Sequence, residues 1–71
     1  GGIFVDTIKR VQDLMQERDM NLCVLTKKCG ISYSTIQTTA RRGGQLSVET
    51  IERICLGLGI TLKDFFDSSY L

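Results

Sequence analysis

The sequence predicts an all-α fold, five helices in one compact domain, on three observations. Apolar residues recur at helical spacing in successive short segments, small capping residues and glycines punctuate those segments at helix-length intervals, and no segment sustains the period-two alternation of a strand. There is no proline, no internal repeat and no low-complexity stretch.

The first helix is expected over 6–18. Phe4, Ile8, Val11 and Met15 recur at helical spacing, Leu14 widens the stripe, and Asp6 is placed to cap it. Asn21 is a good N-cap for a second helix over 22–29, in which Leu22, Leu25, Thr26 and Cys29 follow at i, i+3, i+4 and i+7. Gly30 stops it, because a left-handed C-cap costs glycine least, and Ile31 then falls where a Schellman cap makes its hydrophobic contact. A third helix over 33–41 can be capped by Ser32, with Ile36 inward and Thr39 and Ala40 on or near the buried side. Gly43 and Gly44 end it. Ser47 caps a fourth helix over 48–58 on the stripe Val48, Ile51, Ile54, Cys55 and Leu58, closed by Gly59. Thr61 through Asp64 reads as a capping box for a short fifth helix over 62–67 that carries Phe65 and Phe66. Gly1 and Gly2 fit a cleaved-tag remnant and take no part in this reading.

Composition excludes several classes. With 71 residues there is one domain at most, and such a domain buries only roughly 60% of the surface its unfolded chain exposes. Hydrophobic residues at 42% and charged residues at 24% are globular rather than disordered proportions. No apolar run approaches the roughly 20 residues of a membrane span and the start lacks a signal-peptide pattern, so a soluble, cytoplasmic protein is expected. Cys23, Cys29 and Cys55 are odd in number and no histidine is present, which predicts reduced thiols and no metal. Cys29 and Cys55 fall on apolar stripes as small hydrophobes, whereas Cys23 lies off its stripe. Without histidine, a phosphate-cradling glycine motif or metal-ligand spacing, neither catalysis nor a cofactor is expected.

The second and third helices, joined across Gly30 by a tight turn, form a helix-turn-helix unit. The stretch Met20-Asn21-Leu22-Cys23-Val24-Leu25-Thr26-Lys27-Lys28-Cys29-Gly30-Ile31-Ser32-Tyr33-Ser34-Thr35-Ile36 resembles the second and third helices of Cro and repressor-like (Xre) helix-turn-helix proteins. Leu58-Gly59-Ile60-Thr61-Leu62-Lys63-Asp64-Phe65-Phe66 resembles the closing pattern of the same family, so the likeness runs from about Ile8 to Phe66. It implies a lambda-repressor-like fold and a transcriptional regulator that binds double-stranded DNA. Leu22 departs from the family, standing where many members have a glutamine that reaches the DNA backbone; Ala40 replaces a common glutamate and Leu46 a frequent proline.

Charge distribution points the same way. The net charge of +1 conceals a segregation: between Asp19 and Glu49 there is no acid, while Lys27, Lys28, Arg41 and Arg42 give a local +4. The other five cations face all eight acids, a balance of −3. Tyr33, Ser34, Thr35, Gln37 and Thr38 can donate, accept or touch a thymine methyl. The resemblance matches Tyr33, Ser34 and Thr38 to base-contacting positions, with Ser32 and Gln37 beside them. Serine, threonine and tyrosine are mediocre helix formers, so a face selected for stability alone would favour other residues. Arg41 and Arg42, with the amides of Gly43 and Gly44, suit phosphate, as do Lys27, Lys28, Thr35 and the start of the second helix at Asn21. A single recognition helix reads only a few base pairs, which calls for a homodimer on DNA, and Phe65, Phe66, Tyr70 and Leu71 are the expected contact surface. The rival reading is a helix-turn-helix module that binds a protein partner, as an antitoxin or adaptor does, with the apolar Leu22 its best argument.

Overall fold

Four of the five helices begin at a side chain that takes up an orphan amide. The computed structural model describes residues 6–67, within which the elements are α1 (Thr7–Glu17), α2 (Leu22–Cys29), α3 (Tyr33–Arg42), α4 (Val48–Leu58) and α5 (Leu62–Phe66), with no strand among the described residues. Asp6 accepts from the Lys9 N–H at 3.0 Å, Asn21 from Val24 at 2.9 Å and Ser47 from Thr50 at 3.2 Å. Thr61 and Asp64 complete a reciprocal capping box. Arg18 and Asp67, expected as helical, are C-caps, and α3 runs one residue further, to Arg42.

The C-terminal ends of α1 to α4 close alike. Gly30 has φ +67°, and the Ile31 N–H reaches back five residues to the Thr26 carbonyl at 2.9 Å, the six-to-one bond of a Schellman motif. The same bond recurs after Gly43 and Gly59. At the end of α1 the left-handed residue is Asp19, φ +52°, with Met20 bonding the Met15 carbonyl; a short polar side chain tolerates that conformation better than most.

The core comprises Val11, Leu14, Leu25, Ile36, Leu46, Ile51, Ile54, Cys55 and Phe65. α2 packs most extensively on α4, α3 lies against α1 and α2, and α5 closes on α4. Two expected members of the apolar stripes are elsewhere: Val48, at the first turn of α4, and Ala40 are exposed. Phe4 lies outside the described residues. Leu46 enters the core instead, from the loop before α4. It is held there by Thr7, which is 4% exposed: the threonine hydroxyl donates to Gln45 Oε1 at 2.8 Å and accepts from the Leu46 N–H at 2.8 Å. The Thr7 N–H also donates to Gln45 Oε1, so the start of α1 is tied to the α3–α4 connection. A second long-range tie runs from the half-buried Arg10, whose guanidinium donates to the carbonyls of Asp64 and Phe65 at the end of α5. A cation there also offsets the negative end of the helix dipole.

Candidate nucleic-acid interface

Burial of Ile36 sets the orientation of α3. With that side chain in the core, Tyr33, Ser34, Thr35 and Gln37 are exposed and Thr38 is half-buried at the edge of the face. The turn before it spans Gly30 to Ser32, and Ile31 packs on the core, which fixes the angle at which α3 leaves α2. Gln37 donates through Nε2 to the Tyr33 hydroxyl at 3.1 Å, one turn away on the same face.

Ser32 corrects the sequence reading. It occupies the N-cap position, yet its side chain makes no cap hydrogen bond; its hydroxyl pairs with that of Ser34 at 2.8 Å. α3 is the one helix of the five described whose N-cap side chain takes up no amide; the Ser32 carbonyl accepts from the Thr35 N–H at 3.1 Å instead, and the positive end of the dipole carries no side-chain cap.

The four cations sit at helix C-termini, Lys27 and Lys28 in the last turn of α2, Arg41 and Arg42 in that of α3. All four are exposed, and none has an ion pair among the described residues. The ion pairs that do form, Lys9–Asp13, Glu17–Arg18 and Glu49–Arg53, lie on α1 and its end and on α4. Favourable placement at the helix ends accounts for part of this pattern, but not for the absence of acids from the whole interval between Asp19 and Glu49.

Two expected donors are already engaged. The Gly43 N–H bonds the Ala40 carbonyl and the Gly44 N–H that of Thr39, so closing α3 consumes the amides expected to meet phosphate. At the start of α2 the Val24 N–H is likewise taken, by the Asn21 side-chain oxygen at 2.9 Å. Thr35 remains exposed, and its carbonyl accepts from Thr39.

Of the expected contact surface at the C-terminal end, Phe65 is 0% exposed and belongs to the monomer core, where the end of α5 turns it inward against α4. Phe66 is 40% exposed and stands edge-on to the Phe65 ring at 5.0 Å. Tyr70 and Leu71 lie outside the described residues. Three further exposed apolar residues, which the sequence reading missed, lie on the same two helices: Val48 and Leu56 on α4 and Leu62 on α5, with Leu56 83% exposed. Leu56 was legible, since it falls off the stripe of Ile51, Ile54, Cys55 and Leu58.

Among the described residues no cluster of histidine, cysteine, aspartate or glutamate could hold a metal ion, and no helix is long and apolar enough to cross a membrane. No curated protein and no solved structure matches the chain. A family model described as a Cro/C1-type helix-turn-helix DNA-binding domain matches residues 10–68. A match across most of the sequence, on a five-helix fold whose α2 and α3 meet at the Gly30 turn, places the chain in the Cro/C1-type helix-turn-helix DNA-binding domain family.

Proposed function

We propose that this domain binds double-stranded DNA sequence-specifically as a cytoplasmic transcriptional regulator, with α3 in the major groove, and that it represses by occupying its site. The observation that carries the reading is the outer face of α3: an N-terminus without a side-chain cap, hydroxyl and amide side chains aimed outward, and no carboxylate on the helix. Ser34 and Thr38, with Tyr33, Gln37 and Ser32 beside them, supply donors and acceptors that can pair with base edges. Lys27, Lys28, Thr35, Arg41 and Arg42 flank that face and neutralise or bond phosphates, which positions the helix without reading sequence.

One α3 covers too few base pairs for a selective site, so two copies act together on a near-palindrome. Their recognition helices then lie about 34 Å apart, on successive major grooves of one DNA face. The exposed apolar residues of α4 and α5, Leu56, Leu62 and Phe66, are the surface for that pairing. Selection of bound sequences from a random duplex pool tests the reading. Enrichment of a palindromic motif is expected, and recovery of unselected sequence would refute specific recognition.

A further inference from the structure

Between α1, the start of α2 and α3 the surface opens into a groove of about 320 Å³. Its floor is apolar, made by Ile8 and Met15 of α1, Leu22 of α2 and Ile36 of α3. Gln12, Gln37 and Arg41 stand at the rim, and among the described residues no acid lines it. Leu22 makes the floor continuous. A glutamine there, as the resemblance would lead one to expect, would set an amide among these side chains, whereas leucine packs half-buried against the core.

We propose that this groove binds an amphipathic monocarboxylate of medium chain length, its tail on the apolar floor and its carboxylate on Arg41, and that this ligand competes with DNA. The volume lies at the small end of ligand sites, roughly 300–1,000 Å³, and so suits one small molecule rather than a docked helix. Charge selects an anion, because the Arg41 guanidinium has no ion pair among the described residues and a cationic ligand would find no carboxylate in the lining. The competition rests on the proposed DNA-binding role. Gln37 and Arg41 belong both to the groove and to the face of α3 assigned to DNA, so a bound carboxylate engages Arg41 and sets a negative charge beside the phosphates.

The test titrates the isotopically labelled chain with octanoate below its micelle-forming concentration, with 1-octanol and octylammonium as controls and NMR shifts as the readout. Saturable shifts are expected at Ile8, Met15, Leu22 and Ile36, with octanoate bound more tightly than either control. Arg41→Gln should weaken octanoate about twofold to fivefold, the ordinary weight of an exposed ion pair. Ala40→Glu, which adds an acid at an exposed lining position, should erase the preference for octanoate over octanol. The proposal is overturned by an absence of saturable shifts, by shifts centred on the exposed Leu56 and Leu62, or by equal affinity for octanol. Binding that appears only after removal of residues 1–5 would make Ile3-Phe4-Val5 the occupant, and ligand-free shifts that change with protein concentration would make it a second copy; either result also overturns it. On a selected duplex, saturating octanoate should weaken DNA binding by the factor by which the duplex weakens octanoate. Unchanged DNA affinity with octanoate bound would refute the competition. Failure to bind any duplex in the absence of octanoate would defeat the DNA-binding role instead, and the shifts would still decide whether the groove takes the carboxylate.

Discussion

Gly57 of α4 faces Cys29 of α2 with no room between them for a methyl group. A Cβ at position 57 would overlap the Cys29 sulfur and stand 2.9 Å from its Cα. The thiol itself points along α4, toward the Ile54 carbonyl at 3.7 Å. Alanine ordinarily improves a helix interior by about 1 kcal/mol over glycine. Here the clash with α2 backbone outweighs that gain, and Gly57→Ala should destabilise by about 1–3 kcal/mol. Denaturant unfolding checks the sign, and Cys29→Ala should not restore stability because the closest backbone atom remains.

Thr7→Val tests the tie between α1 and the loop before α4. It keeps the shape and removes the hydroxyl that accepts from the Leu46 N–H. A buried amide then lacks its partner, at a cost of about 1–3 kcal/mol. Thr7→Ser should recover most of the loss, and hydrogen exchange at Leu46 should accelerate in the valine variant alone. Unaltered exchange would remove the hydroxyl from that role.

Caps on α2 and α3 should respond differently to truncation. Asn21→Ala removes a bond to the Val24 N–H and should cost about 1 kcal/mol. Ser32→Ala removes a hydroxyl that bonds only Ser34, and should lower stability much less. Equal shifts of the two unfolding midpoints would contradict the absence of a side-chain cap on α3.

On DNA, the two sets of α3 residues should separate. Ser34→Ala or Thr38→Ala should weaken the preferred duplex by about 1–3 kcal/mol and leave non-specific binding nearly unchanged. Arg41→Ala or Arg42→Ala should lower affinity on every duplex and make the salt dependence shallower by roughly one unit of log–log slope per lost phosphate contact. Titrations at several salt concentrations distinguish the two patterns, and an unchanged slope would take the arginines out of the interface.

The three thiols should react in order of access. Cys23 is exposed, whereas burial raises the Cys29 and Cys55 thiols above the ordinary value; Lys28 partly opposes this at Cys29, and Asp64 adds to it at Cys55. Because the thiolate is the nucleophile, alkylation followed by mass spectrometry should label Cys23 first. The folded state holds the protons of Cys29 and Cys55 more tightly than the unfolded chain does. Their contribution to stability is therefore complete below the ordinary thiol pKa and is lost as pH rises from there through the raised folded values. A midpoint that does not fall at alkaline pH, or one that keeps falling equally in the Cys29→Ala and Cys55→Ala variants, would contradict this.

The five-helix fold was legible in the sequence because helical periodicity, caps and glycine stops are local signals, each written within a few residues of the position it governs. Val11, Leu14, Leu25, Ile36, Ile51 and Ile54 could be read as inward from their neighbours alone. The basic, acid-free interval around α2 and α3 was equally visible, since charge order along a chain needs no structure to be seen. Tertiary structure alone decided which of Phe65 and Phe66 turns inward, because adjacent residues on a five-residue helix give too short a period to orient it. It also decided that Ser32 turns to Ser34, that the Gly43 and Gly44 amides are consumed in closing α3, and that Leu22 joins the floor of a groove shared with α1. Thr7 and Gln45 are 38 positions apart, Gly57 and Cys29 are 28 apart, and no local pattern marks either pair. Such contacts exist only once the helices have packed, when the same burial that drives the fold leaves a loop amide in need of a hydroxyl and one position on α4 with space for hydrogen alone.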